Sequence, residues 1–208
     1  MRAITTVASL ERFGRIQLSK NFHMREMLYS EVANFHGLSN IPDDPELAVH
    51  VGRQLCETLL EPLNEAFGRI IVRSAYRSET VNGFCNARQR EKKKGYGCAS
   101  NEANYAGHIW DRRDAEGRAG ATASVVVPWF AERYENGMPW QAMAWWVHDH
   151  LPYSDMQFFP AAAFNISWHE KPKRRIHSFI PPKGYLTRPG MPNHAGSHAD
   201  HYPDFPTP

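Results

Sequence analysis

The chain has 208 residues, 42% of them hydrophobic, and its 24 lysines and arginines nearly balance 22 acids for a formal charge of +2. That length supports one ordinary core with extensions, and the near balance of charge leaves no basic footprint for nucleic acid. No run approaches the ~20 apolar residues of a membrane span, and the opening "MRAITTVASLERFGRIQLSK" has no apolar stretch of signal-peptide length.

In chain order, the clearest element is a helix over 45–67. "DDPEL" gives it an acidic cap and a first-turn proline, and Gly68 gives it a stop. Leu47, Val51, Leu55, Leu59, Leu63 and Phe67 recur every four residues as one apolar stripe, and Pro62 should bend or divide the helix near its last turn. "RIIVRSAY" reads as a short buried strand and "SETVNGFCNARQREKKKG" as a second helix ending near Gly95. "AGHIWD" and "ATASVVVP" are strand candidates on either side of the polar turn "RRDAEGRAG".

Pro128 and Pro139 each open a helix, and the second places Trp140, Met143, Ala144, Val147 and Leu151 on one face. "DMQFF", "AFNISWH" and "RRIHSFI" read as strands of an antiparallel meander. Helices early, strands late and no βαβ repetition predict an α+β fold, with N-terminal helices packed on a mainly antiparallel sheet. The expected organisation is an extension over 1–17, a domain over 18–180 and a Pro/His-rich extended tail over 181–208. Ordering such a tail requires it to wrap its own domain or to dock on a neighbouring subunit.

Cys56, Cys85 and Cys98 are odd in number and lack a CxxC, which points to neither a disulfide framework nor a thiolate zinc site. A reducing compartment fits that usage. "RQREKKK" and "KPKRR" read as solvated faces.

Three segments carry a family resemblance: "LSKNFHMREMLYS", then "LLEPLNEAFG" with "IIVRSAYRSETVN", then "NYAGHIWD". In order they resemble the zinc peptidases of the D-alanyl-D-alanine carboxypeptidase and Hedgehog type, a family that includes phage endolysins. The resemblance covers roughly 18–179 and implies that family's fold. Members carry H-x-x-G-x-A-x-D, whose His and Asp bind zinc, then a strand W-x-H with the third ligand and a Glu or Asp general base shortly before it. A catalytic zinc needs three protein ligands and an open position for water, whose proton a carboxylate takes.

On that pattern Gly107 and Asp111 match, but Asn104 stands at the first histidine and Asn165 at the third ligand. An amide oxygen is a poor zinc donor beside imidazole. The resemblance therefore implies a degenerate site, with no cofactor expected unless zinc is held by a re-sited set of Asp111, His169 and His108. His148 or His150 could add a nitrogen, although at a helix end they suit the dipole without a metal. The tail's His194, His198 and His201 read as low-complexity sequence.

Asp155, elsewhere in the family a supporting acid, and Glu170 are the candidate catalytic carboxylates. "S-x-Y-R-S" lines the family's site, so Ser74, Tyr76, Arg77, Ser78 and Asn82 are candidate substrate-binding residues, with a guanidinium fork suited to carboxylates. The expectation is a non-catalytic structural or cell-wall-recognition domain of a phage or contractile particle. Its partners would be peptidoglycan peptides, or subunits reached through the tail, a homo-oligomer included, with no nucleic acid or membrane. It would lie in the cytoplasm or on a virion-like particle. The alternatives are an active zinc peptidase with re-sited ligands and a peptidoglycan-binding module.

Overall fold

The apolar stripe of 45–67 forms two helices, α4 (Pro45–Leu55) and α5 (Glu61–Phe67), joined by one π-helical turn over Cys56–Leu60. Pro62 has no N–H to give, and the wider turn, closed by Glu61 N–H to the Cys56 carbonyl, sets the proline in the first turn of α5 where no donor is required. The division thus falls ahead of Pro62, a correction to the last-turn bend expected from the sequence. Leu55, Leu59 and Leu63 are fully buried, as the stripe requires.

The computed structural model describes residues 3–207; residues 1, 2 and 208, the outer ends of the expected extension and tail, lie outside them. Helices α1 (Val7–Gly14), α2 (Met24–Met27) and α3 (Glu31–His36) precede α4. After α5 come β1 (Ile71–Ser74), α6 (Glu79–Arg90), α7 (Asn101–Asn104), β2 (Gly120–Val126), α8 (Pro128–Glu135) and α9 (Trp140–His150). Strands β3 (Asp155–Phe158), β4 (Phe164–His169), β5 (Arg175–Ser178) and β6 (Gly184–Thr187) follow. The fold is α+β, with a six-stranded mixed sheet in the order β1-β2-β4-β3-β5-β6.

The late strands are not a pure meander. β3 and β4 pair antiparallel, but β5 runs parallel to β3, with Asp155 opposite Arg175 and Gln157 opposite His177. The connection after β4 is pinned to the start of β3: Lys173 N–H donates to Ser154 Oγ at 3.1 Å, and Arg174 donates to the Leu151 and His148 carbonyls at 2.6 and 2.7 Å. That anchoring carries the chain past the end of β3 to its far side.

One hydrophobic cluster includes Phe13 of α1, Leu55 and Leu59 of the central helices, Trp110, Trp146 of α9, and Phe158 and Phe164 of the sheet. The N-terminal segment is tied to α5 through Glu61, a buried carboxylate accepting from Ser19 Oγ at 2.7 Å, Asn21 N–H at 2.6 Å and Asn21 Nδ2 at 2.7 Å. No helix among the described residues is long and apolar enough to cross a membrane.

Three further corrections concern the cysteines, "AGHIWD" and the histidines of the tail. Cys85 and Cys98 form a disulfide, because α6 ends at Arg90 and an exposed turn brings the chain back beside it; Cys56 is free and buried. A pairing made by chain reversal leaves no CxxC to read. Residues 106–111 form turns instead of a strand, held by Ala106 N–H to the Arg112 carbonyl and Ile109 N–H to the Asn104 carbonyl at 2.9 and 3.0 Å.

The tail wraps its own domain. β6 extends the sheet, Phe205 packs edge-on to Phe67 and tilted against Trp129 at ring separations of 5.7 and 5.1 Å, and Trp146 Nε1 donates to the Pro206 carbonyl at 2.9 Å. Nor are its histidines loose chemistry. His198 is buried, with its ring stacked on Trp145 at 3.9 Å and its Nδ1 2.7 Å from Asp149 Oδ1.

Candidate functional site

The period of two on β3, β4 and β5 sends Met156, Phe158, Phe164, Ile166 and Ile176 into the core. It turns Asp155 and Gln157, Asn165, Ser167 and His169, and Arg175 to the other face. Cross-strand pairing places Asp155 beside Ser167 and Arg175, Gln157 beside Asn165, and Thr122 of β2 beside Ser167. These polar side chains form one wall of a cleft of about 150 Å³.

The opposite wall is the segment from Asn104 to His108. It lies directly on β2: the Gly107 carbonyl accepts from Thr122 N–H at 3.0 Å, and a Cβ on Gly120 would come within 2.3 Å of the Ala106 oxygen. Only glycine permits that approach. Ala106 itself sits at φ 52°, a left-handed conformation costing a non-glycine residue roughly 1 kcal/mol, held by the bonds on either side.

The charges of the cleft are largely matched internally. Arg175 grips Asp155, with Nε at 2.9 and 2.8 Å from its two oxygens and Nη2 at 2.7 Å, and this pairing raises the Arg175 pKa. His169 Nε2 lies 3.1 Å from Asp114 Oδ2, while its Nδ1 faces the N–H and carbonyl of Lys171 at 3.0 and 2.9 Å. Hydrogen bonds from Arg118 and Glu116 N–H, and from His169, hold the Asp114 carboxyl below the usual range. Lys173 is exposed at the rim, without an ion pair among the described residues.

The expected site residues are divided by this geometry. Asn104, Asn165, His108, His169 and Asp155 line the cleft, whereas Asp111 does not. Asp111 is buried, its Oδ2 accepting from Asp43 N–H at 2.7 Å and from the Tyr76 hydroxyl at 3.2 Å, and burial raises its pKa. The strand alternation that set His108 opposite Asp111 is lost with the strand. His108 gives Nδ1 to the Ala75 carbonyl at 2.8 Å, and burial, helped by Arg77, pulls its pKa down to about 3.

Glu170 accepts from Ala119 N–H at 2.8 Å and lies 3.5 Å from Arg113, outside the cleft. Ser74, Tyr76, Arg77, Ser78 and Asn82 do not line it either. Ser78 caps α6, Asn82 holds the Ala99 carbonyl and the Asn101 side chain, and Arg77 Nη1 reaches Cys98 Sγ. His148 is tied to the Tyr153 hydroxyl and the His194 carbonyl at 2.7 and 2.9 Å, which gives its ring nitrogens structural partners.

The donor set does not suit the zinc ion that the family pattern implies. Asn104 Nδ2 donates to Asn82 Oδ1 at 2.9 Å, Asn165 Nδ2 to Gln157 Oε1 at 3.2 Å, and both nitrogens of His169 are engaged. No three His, Cys, Asp or Glu side chains among the described residues converge as metal ligands. A serine nucleophile is no better served: Ser167 Oγ pairs with Thr122 Oγ1 at 2.8 Å, and no nitrogen of His169 is left to activate it.

What remains is a hydrogen-bonding cleft of amides, hydroxyls, one rim ammonium and a neutral imidazole, His108, whose Nε2 has no hydrogen-bond partner among the described residues. Thr122, Gln157, Lys173 and Arg175 were not singled out from the sequence. The alternation of polar residues along "DMQF" and "RIHS" was the signal that could have found two of them. Of known proteins, no family model, curated sequence or solved structure matches the chain.

Proposed function

We propose that this chain is a degenerate D-alanyl-D-alanine carboxypeptidase-like domain that binds a short peptidoglycan peptide without cutting it, as a recognition component of a phage or contractile particle. The observation that carries the reading is the state of the cleft's acids. Asp155 is held by Arg175 and Asp114 by His169, so neither is a free general base, while Asn104, Asn165, Gln157 and Ser167 remain placed for hydrogen bonding. Lys173 at the rim suits the carboxylate of a peptide. The particle assignment rests on the family resemblance of "NYAGHIWD" and "SAYRS" in the sequence.

Calorimetric titration with a soluble stem peptide ending in D-alanyl-D-alanine tests it, together with chromatography for released D-alanine. Binding without release is expected, weakened about tenfold in Lys173→Ala by loss of a charge-assisted contact. Release of D-alanine, or failure of both the peptide and intact cell wall to bind, would refute the proposal.

A further inference from the structure

The Cys85–Cys98 disulfide joins the middle of α6 to the segment entering α7, and its two sulfurs have unlike surroundings. Arg77 Nη1 donates to Cys98 Sγ at 3.2 Å. Arg77 forms no ion pair among the described residues, and Glu31 acts on it only at longer range. Burial draws the guanidinium down to about 10, as expected of a cation short of a counter-charge. The nearby His108 is held neutral and offers none.

The peptide around Cys98 is held independently of the S–S bond. Asn86 Nδ2 donates to the Cys98 carbonyl at 2.8 Å, and Asn82 and Asn104 donate to the Ala99 carbonyl at 3.1 and 3.4 Å. Opening the disulfide therefore leaves the Cys98 sulfur beside Arg77. Thiol–disulfide exchange is faster when the departing sulfur is the better-stabilised thiolate, and a guanidinium provides that stabilisation.

We propose that Cys85–Cys98 is an exchangeable disulfide for a dithiol reductant, attacked at Cys85, with Cys98 leaving as a thiolate held by Arg77. The reductant's thiolate pair forms the new bond to Cys85 Sγ. The Cys85–Cys98 bond breaks, and its electrons pass to Cys98. The reductant's second thiol gives up its proton to solvent and displaces Cys85, which departs as a thiolate and takes a proton back. The protein gains two electrons, and the dithiol becomes its own disulfide.

Access does not choose between the sulfurs, since Cys85 and Cys98 are 2% and 5% exposed. The turn 91–95 between the two cysteines is exposed, and it must open for a reductant to reach either sulfur. Cys56 stands apart, its thiol pushed far up by burial and by Glu61.

The test exposes the oxidised full chain to glutathione, blocks free thiols with N-ethylmaleimide, and maps both adducts by peptide mass. Glutathione should sit on Cys85 in about tenfold excess over Cys98, with maleimide on Cys98, and Arg77→Gln should abolish the bias. Equal labelling, the reverse bias, or a disulfide that excess dithiothreitol leaves intact in the folded protein overturns the proposal, as does a bias that survives Arg77→Gln. Should Arg77→Gln fail to fold, Cys85→Ala supplies the answer through the ultraviolet titration of the Cys98 thiolate, read against Cys85→Ala/Cys98→Ala. Titration about one unit or more below the ~8.5 of a free cysteine is expected, and a value at or above it overturns the assignment.

Discussion

Replacing Asp149 with alanine removes the acceptor of three donors at once: His198 N–H at 2.7 Å, the His198 ring at 2.7 Å and the Tyr202 hydroxyl at 2.6 Å. The two side chains of the Asp149–His198 pair are 9% and 8% exposed, so water replaces little of what is lost. A hydrogen bond to a charged group contributes ~1.5–3 kcal/mol, and three on one carboxylate do not add fully, so the tail's attachment should weaken by ~3 kcal/mol. At ~1.4 kcal/mol per factor of ten, that raises the tail's opening equilibrium roughly a hundredfold. Amide exchange over 184–202 should report the change, while β2 and β4 keep their protection. Undiminished tail protection, or protection lost equally from the central strands, would refute the reasoning. Burial raises the Asp149 pKa, but the bonds from Tyr202 and His198 outweigh it and hold the carboxyl low. A depressed folded pKa gives stabilisation that is present above the unfolded value and lost as pH falls through the folded one. The wild-type tail should therefore loosen below about pH 4, and Asp149→Asn should lack that transition.

Glu61→Gln leaves a weaker acceptor for Ser19 and Asn21 and should cost ~2 kcal/mol in urea unfolding; an unchanged midpoint would count against the tie between α5 and the N-terminal segment. Gly120→Ala drives a Cβ to 2.3 Å from the Ala106 oxygen and 2.7 Å from His169 Cδ2, and should cost ~3 kcal/mol while displacing the cleft's outer wall; wild-type stability in that variant would mean the wall does not rest on β2. Burial raises the Asp111 pKa, so ionisation works against the folded state above the usual carboxylate range. Asp111→Asn should unfold at the same or higher urea concentration than wild type at pH 7, by up to ~1 kcal/mol, with the advantage vanishing in acid; a large loss at pH 7 would show that the charge is needed.

Periodicity was enough to read most of the fold. The four-residue stripe from Leu47 to Phe67 and the apolar alternation of 156–166 each describe a local geometry that the sequence itself carries. The parallel β3–β5 pair was hidden because it depends on Arg174 and Lys173 reaching back to Leu151 and Ser154, contacts with no short-range signature. The disulfide was hidden for a similar reason. The site was half legible: the face of Asn165, Ser167 and His169 follows from strand geometry, but "AGHIWD" alternates like a strand and folds as turns. The competing pull there is backbone hydrogen bonding across 104–112 together with the bond from Thr122 N–H, which no residue pattern announces.

That one departure decides more of the cleft's chemistry than the two asparagines do. In an extended segment Gly107, Ile109 and Asp111 would share a face, with His108 on the other. In the turn, Trp110 enters the core beside Tyr76, at a ring separation of 6.2 Å, and carries Asp111 to the Tyr76 hydroxyl and the Asp43 N–H. A histidine placed at 104 or 165 would then line a cleft whose acids, Asp155 and Asp114, are already matched by Arg175 and His169. A metal site that drew on Asp155 would have to break an ion pair that joins β3 to β5, so the pairing of the acids by itself works against a cation there.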